Sequence, residues 1–181
     1  MATSEELLKQ HEMRGGYSCV AWGYEFIAKW HEVLKLNQFP IQTARPSGMG
    51  FSKEDQEWFL KEYGIKTEKR SLTLDELEFV IKEQIEKNLP PIVSIFSRAS
   101  INYDDRSHFS LGVNLDYHVF AGFYQDGQVQ LAGRVYSKSC LVLLPIARIR
   151  EVHRWSSVFP LAPALVECLL HTTPISNNIL P

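Results

Sequence analysis

The stretch DYHVFAGFYQDGQVQLAGRVY, residues 116–136, decides the fold. Two runs rich in β-branched and aromatic residues, Tyr117 to Tyr124 and Val129 to Tyr136, flank the dipeptide Asp126-Gly127. Asp-Gly is a preferred two-residue hairpin turn because both of its positions must adopt positive φ. The segment is therefore predicted to be an antiparallel hairpin. With Asp126 and Gly127 at the turn, His118 falls opposite Val135, with Arg134 and Tyr136 beside it.

Upstream, Pro91 leads into Ile92-Val93-Ser94-Ile95-Phe96, whose composition predicts a core strand. Ile65 to Arg70 reads as a short edge strand and Leu141 to Leu144 as another strand. Ser52-Lys53-Glu54-Asp55 and Thr73-Leu74-Asp75-Glu76 have the Ser/Thr-x-x-acid form of a helix start, which predicts helices over 52–63 and 73–87. Gly64 ends the first of these. Within the second, Glu83 and Lys87 are spaced as an i,i+4 ion pair. Nearer the N-terminus, Ser18 is a good N-cap, and Val20, Gly23, Ile27, Trp30 and Leu34 recur at helical spacing, predicting a helix from Cys19 to about Leu36. Trp22, Phe26 and Val33 add apolar surface on a second side, so this helix is read as a buried central one.

A shorter helix is expected over 4–12, ended by Gly15-Gly16. Surface loops are expected over 37–51 and 97–115, and a short amphipathic helix over Pro145 to Trp155. Residues 1–155 form the expected single domain. Residues 156–181, with three internal prolines and Glu167 as their one charged residue, are expected to be an irregular or packed extension. The whole reads as an α+β domain with helices packed on an antiparallel sheet.

The 181 residues suffice for one well-buried domain, and 45% hydrophobic with 22% charged residues excludes a disordered chain. Nineteen Lys and Arg against 21 Asp and Glu give no electrostatic reason to bind a polyphosphate. Nucleic acid is not an expected partner. No apolar run approaches the roughly 20 residues of a membrane span, and no secretory signal is evident, so the expected location is cytoplasmic with no membrane partner. The three cysteines, Cys19, Cys140 and Cys168, are expected to be free thiols. There is no Cys-x-x-Cys and no His-Glu-x-x-His, so no metal site is expected.

Chemistry centres on Cys19 and His118. A cysteine in the first turn of a helix meets unpaired backbone N–H groups and the positive end of the helix dipole, both of which stabilise a thiolate. A histidine far downstream, at the start of a strand, is the order in which an imidazole serves a thiol nucleophile. The other histidines have blander readings: His108 in a polar loop, His31 as a surface or helix-packing residue, and His11, His153 and His171 without a nameable partner. Trp22, Trp30, Trp58 and Trp155 are read as core residues.

Tyr17-Ser18-Cys19-Val20-Ala21-Trp22 at a helix start, Leu89-Pro90-Pro91-Ile92-Val93 and His118 to Phe123 entering a hairpin together resemble the papain-like cysteine peptidases. The likeness is closest to the compact bacterial branch related to the peptidase domains that clip leader peptides from bacteriocins, and it covers about residues 10–155. It implies a papain-like fold and hydrolysis of a peptide or amide bond in a peptide or protein substrate. Cys19 would be the nucleophile, His118 the base and then the acid, and no cofactor would be needed. Family members usually carry a Gln six residues before the Cys to help hold the oxyanion. Met13 stands there, and Gln10 is the nearby substitute. The family also places an Asp or Asn across the hairpin from the His, where this chain has Arg134, Val135 and Tyr136. Asp126, roughly 20 Å along the strand, cannot orient the ring. The alternatives are a Cys-His acyltransferase or deamidase, and a catalytically inactive papain-like module that binds protein.

Overall fold

A computed structural model of the chain describes residues 19–33, 51–97, 101–103, 107–109, 116–125, 127–135, 138–143 and 165–175. In chain order these form α1 (Cys19–Trp30), α2 (Lys53–Tyr63), β1 (Thr67–Leu72), α3 (Leu74–Glu86), β2 (Ile92–Ser97), β3 (Ile101–Tyr103), β4 (Ser107–Phe109), β5 (Asp116–Gln125), β6 (Gln128–Val135), β7 (Lys138–Leu143) and β8 (Val166–His171). The expected helices at 4–12 and 145–155 lie outside the described residues, as does the expected loop apart from Phe51.

Local capping explains where the helices begin and end. The Ser52 hydroxyl accepts from the Asp55 N–H at 3.1 Å and opens α2. Gly64, at φ 68°, closes it by donating its N–H to Leu60 O at 2.8 Å, a left-handed conformation that only glycine adopts without steric cost. Thr73 and Glu76 form a complete capping box at the start of α3. At its end the Asn88 N–H donates to Ile85 O and the Leu89 N–H to Gln84 O, both at 2.9 Å, with Asn88 at φ 59°. This is a Schellman motif.

Helix α1 ends the same way, and earlier than its periodicity predicts. The Glu32 N–H donates to Lys29 O and the Val33 N–H to Ala28 O, both at 3.0 Å, with Glu32 in the left-handed region at φ 56°. The chain leaves the helix after Trp30 rather than near Leu36. A left-handed glutamate carries no sequence signal, and the turn holds because Val33 packs back on the core.

Six strands form one antiparallel sheet in the order β1-β8-β2-β5-β6-β7, and β3 with β4 makes a separate small hairpin. The expected edge strand, core strand and hairpin all form, with Gly127 of the turn at φ 77°. Two expectations are corrected. Residues 166–171 are not an irregular extension: β8 lies inside the sheet, pairing with β1 along its length and with β2 from Ile92↔Leu169 to Ser94↔Glu167. Its run Val166-Glu167-Cys168-Leu169-Leu170-His171 is buried but for a half-buried Glu167, as a strand covered on both faces must be. The stretch 97–115 is not all loop, since β3 and β4 pair within it and His108 falls opposite Asn102.

The sheet is covered on both faces. On one side Phe26 of α1 meets Phe123 of β5 edge-on at 6.3 Å, and Tyr24 packs on Phe59 of α2 at 4.9 Å and on Phe51 at 5.9 Å. Trp22 is buried in this core, while Trp30 and Trp58 are partly buried against it. Each fully buried aromatic there contributes roughly 1.5–3 kcal/mol through its burial. On the other side a Cβ built on Gly122 would lie 3.2 Å from Val93 Cγ2 and 3.3 Å from Ile81 Cδ1, so the absence of a side chain lets α3 approach the sheet.

Candidate functional site

Cys19 is the first residue of α1. Positions seven and eleven residues on, Phe26 and Trp30, fall on the same stripe of a 3.6-residue helix. Both meet Phe123 of β5, at 6.3 Å and 6.5 Å between ring centroids. The stripe that begins with Cys19 is thus the one turned toward β5, the strand that carries His118.

His118 pairs with Ile95 of β2 in a ladder that runs without a bulge from Ile92↔Ala121 to Ser97↔Asp116. Side chains alternate between faces along a strand. Ala121 and Phe123 belong to the core formed with α1. Gly122 abuts Ile81 of α3, and the Tyr124 ring lies 4.4 Å from Lys82 Nζ of the same helix. His118, an even number of residues from Gly122, takes the α3 parity. The backbone therefore packs the Cys19 helix against the His118 strand, yet it assigns the two residues to opposite faces of the sheet.

The hairpin keeps the expected register as far as its ladder runs, but the ladder ends short of His118. The β5–β6 ladder runs from Gln125↔Gln128 to Phe120↔Gly133 and stops there, while Arg134 and Val135 pair with Ser139 and Lys138 of β7. His118 does not pair with Val135. From Asp116 to Val119, β5 is held by β2 alone among the described strands. Gln10, Met13 and Asp126 lie outside the described residues. Cys140 falls opposite Gly133 in β7, and Cys168 is a buried free thiol whose burial pushes its pKa up to about 12.

A second group of titratable residues escapes sequence reading altogether. His171, 3% exposed at the end of β8, stands with Nδ1 3.0 Å from His31 Nε2 and Nε2 2.8 Å from Pro90 O. A carbonyl only accepts, so His171 Nε2 carries the proton and its Nδ1 accepts from His31 Nε2–H. Burial is the main cause holding His171 down at about 4, and the neighbouring His31 adds to it, while burial also lowers His31. This contact ties the end of α1 to β8 and to the Pro90-Pro91 approach to β2. The two histidines lie 140 positions apart and share no motif. The signal within reach was local, in the strand-like apolar run that ends at His171.

Among the described residues no group of three or more His, Cys, Asp or Glu is placed to hold a metal ion, and no helix is long and apolar enough to cross a membrane. No protein-family model, no curated protein and no solved structure matches the chain significantly.

Proposed function

We propose that the chain is a papain-like cysteine hydrolase that cleaves a peptide or amide bond through a thioester on Cys19, with His118 as general base and then general acid. The observation that carries this reading is the position of Cys19, at the N-terminal end of a buried helix and on the stripe facing the His118 strand. A thiol there is favoured as thiolate by the positive end of the helix dipole. The α+β arrangement, a helix core against an antiparallel sheet, agrees with the papain-like likeness.

A second reading, the catalytically inactive protein-binding module, is favoured by the strand parity that sets His118 on the α3 face. One measurement separates the two. Under limiting iodoacetamide, with modified cysteines located by peptide mass mapping, a working Cys19 is alkylated far faster than Cys140 and Cys168. Its pH midpoint lies below about 8, and His118→Ala moves that midpoint up. Equal rates for the three thiols, or a midpoint indifferent to His118, leave the binding module standing. A transferase or deamidase uses the same two groups and differs only in the acceptor or the amide attacked.

A further inference from the structure

His171, at the end of β8, joins three parts of the fold through one ring. Its Nδ1 accepts from His31 Nε2–H, just past the end of α1, at 3.0 Å, and its Nε2–H donates to Pro90 O, between α3 and β2, at 2.8 Å. Trp30 Nε1–H donates to Asn88 O of the same connection at 2.9 Å. The last turn of α1 is thus held on β8 and on the approach to β2. The direction of the His31–His171–Pro90 chain is fixed: a carbonyl cannot donate, so His171 Nε2 keeps its proton and Nδ1 stays bare.

This contact counts protons. The neutral pair holds one proton between its facing nitrogens, and a further one, taken from solvent at His31 Nδ1, leaves that N–H···N contact in place. A second makes both rings cationic and sets N–H against N–H, with no lone pair to accept and two like charges together. What opposes charge on these rings is burial and, for His171, the neighbouring His31; no carboxylate favours it. On α1, Glu25 pairs with Lys29 at 3.3 Å, and Glu32 beyond it is exposed. On β8 the nearest charge of the same face is Glu167, about 13 Å away along the strand and paired with Lys69 of β1. Lys66 and Glu68, which flank Thr67 in sequence, are exposed, and Lys87 at the end of α3 pairs with Glu83.

An acceptor for the doubly protonated state stands opposite. Thr67 of β1 pairs directly with His171, so the two side chains rise from one face of the sheet with Cβ atoms about 4.5–5.5 Å apart. Thr67 is 8% exposed, and its buried hydroxyl has no hydrogen-bond partner. Native proteins keep few such groups, because leaving one unpaired is costly. We infer that His31, His171 and Thr67 form a proton-operated latch on the end of α1. While His171 Nδ1 is bare, it holds His31 and the latch is closed. Once both rings are protonated, His31 swings off β8, and His171 keeps Nε2–H on Pro90 O and turns Nδ1–H to Thr67 Oγ1. Acid shifts the population toward the open state because that state binds more protons. The latch acts on the helix that carries Cys19 but needs no role for that thiol.

The test is hydrogen exchange of the full chain at pH 7 and pH 5, corrected for the intrinsic effect of pH on amide exchange. The reporters are the Glu32 and Val33 amides, which close α1 on Lys29 O and Ala28 O, with the β5–β6 ladder as control. Opening at the reporters should rise at least about 20-fold from pH 7 to pH 5 while the control holds. His171→Gln keeps a donor for Pro90 and an acceptor for His31 but cannot titrate, and should confine the rise to about threefold or less. Thr67→Val keeps the shape without the hydroxyl and should cut the rise about fivefold, the equivalent of one hydrogen bond, with protection at pH 7 undiminished. An α1 end indifferent to pH overturns the latch, as does a rise shared equally by the β5–β6 ladder, which marks global unfolding. A wild-type rise in Thr67→Val overturns the part given to the hydroxyl. Ring-nitrogen NMR shifts of the wild-type protein test the latch without any variant: at pH 7 they should show His171 protonated at Nε2 alone, and a proton on Nδ1 there overturns it.

Discussion

Acid should loosen this fold through His171. The unfolded histidine titrates near 6.5, whereas the folded one, 3% exposed and hydrogen bonded to Pro90 O and His31, is held down at about 4. Between those values the unfolded chain binds more protons than the native one, so stability is intact above about pH 6.5 and falls as pH drops toward about 4. At pH 5 the loss from this group is about 2 kcal/mol. His31, lowered by its own burial, adds in the same direction. With a urea m-value of about 2 kcal/mol/M, the unfolding midpoint falls about 1 M on this account alone. The variant His171→Gln keeps an N–H for Pro90 and cannot titrate. It should be less stable at pH 7 by about 1 kcal/mol, the net worth of a typical hydrogen bond, and its midpoint should fall about 1 M less than wild type between pH 7 and pH 5. Carboxylates held low by their partners, such as Glu68 beside Arg70 and Glu83 beside Lys87, also lose their contribution on acidification. They do so in both proteins and cancel from the difference. Equal drops in the two urea curves would refute the reasoning.

Gly122→Leu forces side-chain atoms into the space closed by Val93 and Ile81, so overpacking should cost about 1–3 kcal/mol in chemical denaturation; a neutral result would mean that α3 sits farther from β5 than described. Ser52→Ala removes the acceptor for the Asp55 N–H and should cost about 1 kcal/mol with the m-value unchanged, and a loss below about 0.3 kcal/mol would count against the cap. Cys168, fully buried with its thiol pushed up to about 12, should stay silent to a disulfide reagent at pH 8 until urea unfolds the chain. Prompt labelling of that residue in the folded protein would contradict its place inside the sheet.

Much of the architecture is legible in neighbouring residues because its causes are local. Ser52 and Asp55, or Thr73 and Glu76, sit within one turn of each other and satisfy the same N–H groups in any context, so the starts of α2 and α3 follow from spelling alone. Asp126-Gly127 between two strand-like runs does the same for the β5–β6 hairpin, and the pattern of Ile92 to Phe96 does so for β2. The ends of α1 and α3 are less legible. Glu32 and Asn88 take positive φ because Schellman bonds and packing hold them there, and neither residue type announces such a turn as firmly as glycine.

Other features exist only because distant segments meet. The insertion of β8 between β1 and β2 pairs residues that are far apart in the chain, from Ser94↔Glu167 to Thr67↔His171, a choice that no short window encodes, since a buried strand reads alike wherever it is placed. The same holds for the candidate site. That Cys19 opens a helix and that His118 lies in a strand are properties of their own neighbourhoods. Which sheet face each is assigned to depends on the ladder with β2 and on the packing of α1 and α3, and so does the contact between His31 and His171. A strand's parity flips with a shift of one residue. Chemistry that depends on two side chains sharing a crevice is therefore decided by the register of the assembled sheet, a long-range quantity absent from either segment taken alone.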